Sequence, residues 1–249
     1  MSGHSKWATI KHKKAATDAK RGKIFTRLIR EIQIAAREGG GDPEANPRLR
    51  TAVNAAKAQS MPAENIKRAL LRGTGQLEGA SYEEITFEGY GPAGVAVIVE
   101  VVTDNRNRTV SELRHLFSKN GGNLGENGCV AWMFDKRSLV VVPKEAASEE
   151  KLMEIVLGAG AEDMRDEGEN WSVVSPLEAH EAVVAALSNQ GIEPATASIS
   201  MLPQNSVHVE GKQAGAVLRL IEGFEDHDDV QNVYANFDID DKELEALSA

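Results

Sequence analysis

Cysteine is nearly absent. The single Cys129 rules out an internal disulfide and a cysteine-based zinc site. It fits a reducing compartment, so a cytoplasmic location is expected. Aromatic residues make up only 5% of the chain, which leaves Ala, Val, Leu and Ile to build the cores. Long apolar runs are missing too. The most apolar window, GVAVIVEVV at 94–102, is far shorter than the roughly 20 residues of a membrane helix. Glu100 also interrupts it, so no membrane partner is expected. The first 23 residues carry no apolar stretch of the kind a secretory signal needs. They are basic and acid-poor, as in a mitochondrial transit peptide, but rich in Lys and poor in Ser.

Catalytic and cofactor signatures are also lacking. There is no Walker A sequence and no G-x-S-x-G. The histidines, at 4, 12, 115, 180, 208 and 227, show no metal-pair spacing, and the HDD at 227–229 reads as acidic surface. GYGPAG, from Gly89 to Gly94, satisfies G-x-G-x-x-G. The dinucleotide reading of that motif requires a helix after the glycines; here a strand follows, so a tight turn between strands is expected. GNLG, Gly122 to Gly125, resembles the loop of a KH module, but it joins a helix to a strand and reads as a helix cap. Cys129 is expected mid-strand as a buried thiol. No catalytic residue, metal or cofactor is expected, and the chain reads as a non-enzyme.

Charge, by contrast, is abundant and uneven. Residues 1–73 hold 16 Lys and Arg against 6 Asp and Glu, a net of +10, whereas 74–249 hold 12 against 32, a net of −20. A cationic front on an anionic body points to a polyanionic partner, because each phosphate neutralised by Lys or Arg releases condensed counterions. The candidate contacts in the front are Lys6, Trp7, Lys11, His12, Lys13, Lys14, Lys20, Arg21, Lys23, Arg27, Arg30, Arg48 and Arg50. Trp7, His12 and also His4 could stack on bases or sugars.

Residues 1–21 show no helical apolar period and read as an arm that orders on its partner. From Lys23 on, Ile24, Phe25, Leu28, Ile29, Ile32, Ala35 and Ala36 share one helix face, ended by Gly39 to Gly41. Asn46 caps a second helix with Pro47 in its first turn, and Pro62 opens a third that stops at Gly73. Arg48, Arg50, Lys57, Lys67, Arg68 and Arg72 are expected outside this bundle. After TGQLEGAS the period becomes strand-like: ITFEG and GVAVIVEVVT read as strands, the second buried on both faces. Thr109 with Glu112 reads as a capping box, CVAWMF as a strand, and Ser148 as the cap of the next helix. Ser175, Pro176 and Glu178 read as the cap of a helix through Asn189.

The order from 137 to about 202 is β-α-β-β-α-β, a ferredoxin-like pattern. The closing β-α-β segment cannot make a sheet alone and is expected to join the strands of 80–135. The fold class is therefore α+β: an N-terminal three-helix domain plus two ferredoxin-like α/β modules, one inserted into the other. The expected division is 1–79 for the basic arm and bundle, 80–135 with 205–240 for the middle domain, 136–204 for the insert and 241–249 for an acidic frayed tail.

DNRNRT, 104–109, places Arg106 and Arg108 just before a capped helix. Arginine suits bidentate contact with a phosphate or a purine edge; the same pair could instead clamp acids of a neighbouring domain. Both readings stand. GHSKWATIKHKKAATDAKRGKIFTRLIREI, GGGDPEANPRLRTAV, EGYGPAGVAVIVE and TDNRNRTVSELRHLFSKNGGNLG together resemble the YebC/PmpR family, essentially end to end. The resemblance implies three domains and a bacterial cytoplasmic protein of gene expression that is not an enzyme. It implies a probable transcriptional regulator that binds DNA. Relatives include a mitochondrial translational activator, and some act on the ribosome, easing it through difficult sequences such as proline runs.

The resulting expectation is a non-enzymatic nucleic-acid-binding regulator of gene expression. One alternative is a ribosome-associated translation factor contacting ribosomal RNA or tRNA and relieving stalling. Another is a protein-interaction scaffold, with the acidic modules meeting a protein partner. A small-molecule sensor between the α/β modules is a third.

Overall fold

The structure, a computed structural model, describes residues 18–248. Three helices come first: α1 (Asp18–Gly39), α2 (Pro47–Ala58) and α3 (Ala63–Gly73). Next come β1 (Glu83–Tyr90), β2 (Ala96–Thr103), α4 (Arg106–Lys119) and β3 (Asn123–Leu124). The chain continues through β4 (Phe134–Pro143), α5 (Glu149–Gly158), β5 (Asp163–Asp166), β6 (Asn170–Ser175), α6 (His180–Asn189) and β7 (Thr196–Pro203). It closes with β8 (Val207–His208), α7 (Gly211–Glu225), β9 (Val230–Ala235), β10 (Phe237–Asp238) and α8 (Asp241–Ser248).

The head is a three-helix bundle around Ile32, Ala35, Leu49, Ala56 and Ala69, all nearly inaccessible. Asn46 joins its first two helices. Its side-chain oxygen accepts from the Leu49 N–H at 3.1 Å, and its amide donates to the carbonyls of Ala35 and Gly40 at 2.7 and 2.9 Å. One residue thus caps both a helix start and a helix end. Gly39 permits this approach, since a Cβ there would stand 2.6 Å from Asn46 Nδ2.

The body has two four-stranded sheets, antiparallel throughout. One has the order β3-β1-β2-β9 and the other β5-β6-β4-β7; β8 and β10 form a short parallel pair. The second sheet with α5 and α6 is the β-α-β-β-α-β arrangement expected of a ferredoxin-like unit. Its strands lie in the chain between β3 and β9 of the first sheet. β2 is buried on both faces. Val97, Val99 and Val101 face Phe117 of α4 and Phe224 of α7, while Ala96 and Ile98 meet Val130, Phe134 and Met201 at the junction with the second sheet. The GYGPAG segment is the β1–β2 turn, with Gly94 at φ +75°.

Four local readings differ from the structure. CVAWMF is not a strand: a 3₁₀ turn covers Ala131–Met133 and β4 starts at Phe134. The cause is Glu88, a buried carboxylate that accepts from the N–H groups of Gly128, Val130 and Ala131 at 2.6, 2.8 and 2.7 Å. The segment curls around that charge instead of pairing, and Cys129 is half-buried in the resulting turn. α4 is capped by Asn105, which accepts from the Arg108 N–H at 3.1 Å; Thr109 lies buried within the first turn. α6 has no side-chain cap, because a 3₁₀ turn at Leu177–Ala179 precedes it. Residues 241–248 form α8, held by the fully buried Leu244 rather than frayed.

Candidate nucleic-acid interface

The body meets the head at a helix end. The last turn of α7 and the residues after it present the carbonyls of Glu225, Asp226 and Asp228 and the acids Glu225, Asp226, Asp228 and Asp229, an electronegative C-terminus. Three cations of α1 fill it. Lys23 Nζ lies 3.0 Å from the Asp226 carbonyl and 3.1 Å from its carboxylate. Arg27 donates to the Glu225 carbonyl. Arg30 pairs with Asp229 at 3.1 Å, with side-chain exposures of only 11% and 3%, and its guanidinium lies 5.3 Å from the Tyr82 ring centroid. Burial draws the Arg27 pKa down, opposed by Glu225, Asp226 and Asp228.

Asp229 also accepts from Arg108 at 2.7 Å, Thr109 at 2.7 Å and Thr103 at 3.1 Å. Burial pushes its pKa up, but the hydrogen bonds from Arg108 and Thr109 and the charge of Arg30 outweigh that and hold it below the usual range. Arg48 makes a second bridge, from α2 to Glu31 and Glu38 of α1 and to Glu84 of β1. Arg37 donates to the Tyr82 carbonyl.

The sequence-predicted residues therefore separate. Lys23, Arg27, Arg30 and Arg48 are engaged within the molecule by acids and carbonyls of other elements, Arg30 almost wholly buried and Lys23 and Arg48 still partly open to solvent. Arg108 is anchored to Asp104 and Asp229, both in its own sheet unit, so it ties that unit together internally and does not clamp a neighbouring domain. Arg50 reaches the carbonyls of Pro43 and Glu44 and lies 4.0 Å from Glu181. Arg106 is exposed, with no protein partner among the described residues. Lys6, Trp7, Lys11, His12, Lys13 and Lys14 lie outside the described residues; Lys20 and Arg21 belong to α1, their side chains likewise outside.

Other cations are left facing solvent. Lys67, Arg68 and Arg72 stand on the outer face of α3, exposed and without an ion pair among the described residues. Lys57, at the end of α2, is likewise exposed. The sequence period already places them opposite the buried Ile66 and Ala69. The signal that raises them above Arg48 is a lack of acids folded against them, which only the tertiary structure supplies.

Two constellations invite chemical readings. Glu112, His227 and Asp229 bring their ligand atoms within 4.8 Å of one another. However, Asp229 already carries two arginines, and His227 donates to Glu112 at 2.8 Å while accepting from the Asp229 N–H at 3.1 Å. The trio is internally satisfied. Ser138 Oγ lies 2.7 Å from His180 Nδ1, but Ser138 is fully buried, out of reach of a substrate.

The architecture defines the class: an α+β protein whose cationic three-helix head is locked by arginines to an acidic body of two antiparallel sheets. The chain belongs to the TACO1/YebC family. The family model for the TACO1/YebC protein N-terminal domain matches residues 5–76, and that for the TACO1/YebC second and third domain matches 82–237. This bears out the resemblance read from the sequence. A relative from Solibacter usitatus is 64% identical over 248 residues, covering 100% of each chain. One from Acidobacterium capsulatum is 65% identical over 243 residues, covering 98% of each. Both carry the name probable transcriptional regulatory protein. The crystal structure of a conserved hypothetical protein, Aq1575, from Aquifex aeolicus superposes with a TM-score of 0.82 at 46% identity, over 90% of this chain and 93% of that one. Among the described residues no helix is long and apolar enough to cross a membrane.

Proposed function

We propose that this chain is a non-enzymatic regulator of gene expression that works in the cytoplasm and grips nucleic acid through its helical head, with the two sheet units as separate domains orienting that grip. The observation that carries the reading is the uncompensated row Lys67, Arg68 and Arg72 on α3, in the half of the sequence that is net positive. The names of the relatives support regulation of transcription, and DNA is the polyanion such a role would engage. An acidic body of net charge −20 over residues 74–249 favours a second form of the same reading. Such a body is repelled by a long bare duplex, so a small cationic face suits docking into a site already lined with RNA, as on a ribosome.

Fluorescence anisotropy against salt, with duplex DNA and with RNA, tests it. Phosphate contact through three cations predicts that K67A/R68A/R72A flattens the slope of log K against log salt by about 2 to 3. An unchanged slope would remove α3 from the interface. A nucleic acid that binds no more tightly than a neutral polymer would end the reading.

A further inference from the structure

Between the C-terminal half of α1 and the 74–82 segment that leaves α3 lies a cleft of about 710 Å³. That is within the range of small-ligand sites, roughly 300 to 1,000 Å³. Gln33 lines it. The residue is 6% exposed, and its side-chain amide has no hydrogen-bond partner among the described residues. Its amide is reached by water only through the cleft and can exchange that water for the polar edge of a ligand. Around Gln33 the lining is of two kinds. Ile34, Leu77 and Tyr82 supply apolar and aromatic wall, and Arg72 and Arg37 supply positive charge at the rim. Arg37 is tied to the Tyr82 carbonyl, whereas Arg72 has no ion pair among the described residues.

An aromatic and aliphatic slot, a donor–acceptor pair in its wall and a cation at its mouth together match a nucleobase with its phosphate. The base gains hydrogen bonds on its edge from the amide, and its faces lie against apolar side chains. Arg72 belongs at once to this cleft and to the exposed cation row of α3. The phosphates before and after the inserted nucleotide would then run past Lys67 and Arg68. A single strand can turn one base inward in this way; a paired base must first leave its stack.

We infer that the cleft beside Gln33 takes one unpaired nucleotide of a single strand bound along α3. This rests on the reading of α3 as a nucleic-acid surface and names the part of the nucleic acid that enters it.

The test compares a labelled 12-mer of adenylate RNA, the matching abasic ribose-phosphate 12-mer and free AMP, using the full chain and two variants. Gln33→Leu replaces the unbonded amide with an apolar group of similar size, so its fold is expected to persist, which thermal melting checks. Ala80→Trp, at an exposed position of the lining segment, fills the cleft without touching its polar groups. Wild-type protein is expected to prefer the adenylate strand over the abasic one by about tenfold or more. Each variant is expected to erase most of that preference while leaving the salt slope unchanged. RNA binding with the preference intact in both variants overturns the cleft assignment and leaves the α3 reading standing. Saturable AMP binding, sensitive to Gln33→Leu, without RNA binding assigns the cleft to a free nucleotide and overturns the strand. Binding of neither overturns both.

Discussion

Asp229 gathers side chains from three elements: Arg30 from α1, Thr103 from the end of β2, and Arg108 with Thr109 from the first turn of α4. Removing it would leave Arg30 as a buried charge with no carboxylate, and the loss of one partner from such a pair costs about 3–5 kcal/mol. Asp229→Ala is therefore expected to be strongly destabilising in a thermal or urea melt. Arg108→Ala removes a more exposed partner and should cost clearly less; equal losses would count against Arg30 as the critical link. The pH dependence has a definite sign. Because the Asp229 pKa is lowered on folding, its contribution is fully present above the unfolded value of about 3.9 and is lost as pH falls through the folded value. The gap between wild type and Asp229→Asn should close in that acid window and stay open at neutral pH. None of this was legible in DNRNRT alone. The motif marks Arg106 and Arg108 equally, yet a carboxylate 121 positions from Arg108 fixes one and leaves the other exposed.

At the scale of elements, local pattern served best where each residue answers to its neighbours. The apolar stripes of α1 to α3, the Asn46 and Ser148 caps and the ferredoxin-like order of β4 to β7 follow from periods and caps that the chain spells out locally. The segment at 129–134 did not, because its conformation answers to Glu88, some 40 residues earlier. A Val-, Trp- and Phe-rich run has high strand propensity, but three charge-assisted hydrogen bonds to one buried carboxylate override it. Burial raises the Glu88 pKa and those three N–H groups lower it further than burial lifts it. Glu88→Gln keeps the shape and gives up the charge, so a loss of about 1.5–3 kcal/mol is expected. Burial and then Glu88 also push the Cys129 thiol up. The same variant should therefore speed thiol labelling of Cys129 in the folded protein. Unaltered stability and labelling would mean that the turn holds without its carboxylate. Helix α8 teaches the same point in reverse: an acidic tail by composition is fixed by one leucine, Leu244, buried in the core of the first sheet.

For the whole molecule, the charge split between the two ends of the chain was visible from composition, and its physical meaning is double. Part of the head's positive charge answers the body itself, through Lys23, Arg27 and Arg30 at the end of α7 and Arg48 at β1. Only what lies beyond those bridges is available to a partner. Composition cannot make that division, because each bridge joins residues far apart in the chain. The bridges also make the head's position an electrostatic quantity. Replacing Lys23, Arg27 and Arg30 together by Ala should release the head from α7 while leaving its own core, around Ile32 and Leu49, intact. The 74–81 connection would then be the weakest point. Limited proteolysis there is expected to accelerate on the order of tenfold, with helical circular dichroism nearly unchanged. In the wild type the Arg30–Asp229 pair is largely shielded from water, so salt near 0.5 M should screen it little and leave the cleavage rate low. Cleavage at the wild-type rate in the triple variant would show that Arg48, Arg37 and apolar contact suffice to hold head and body together.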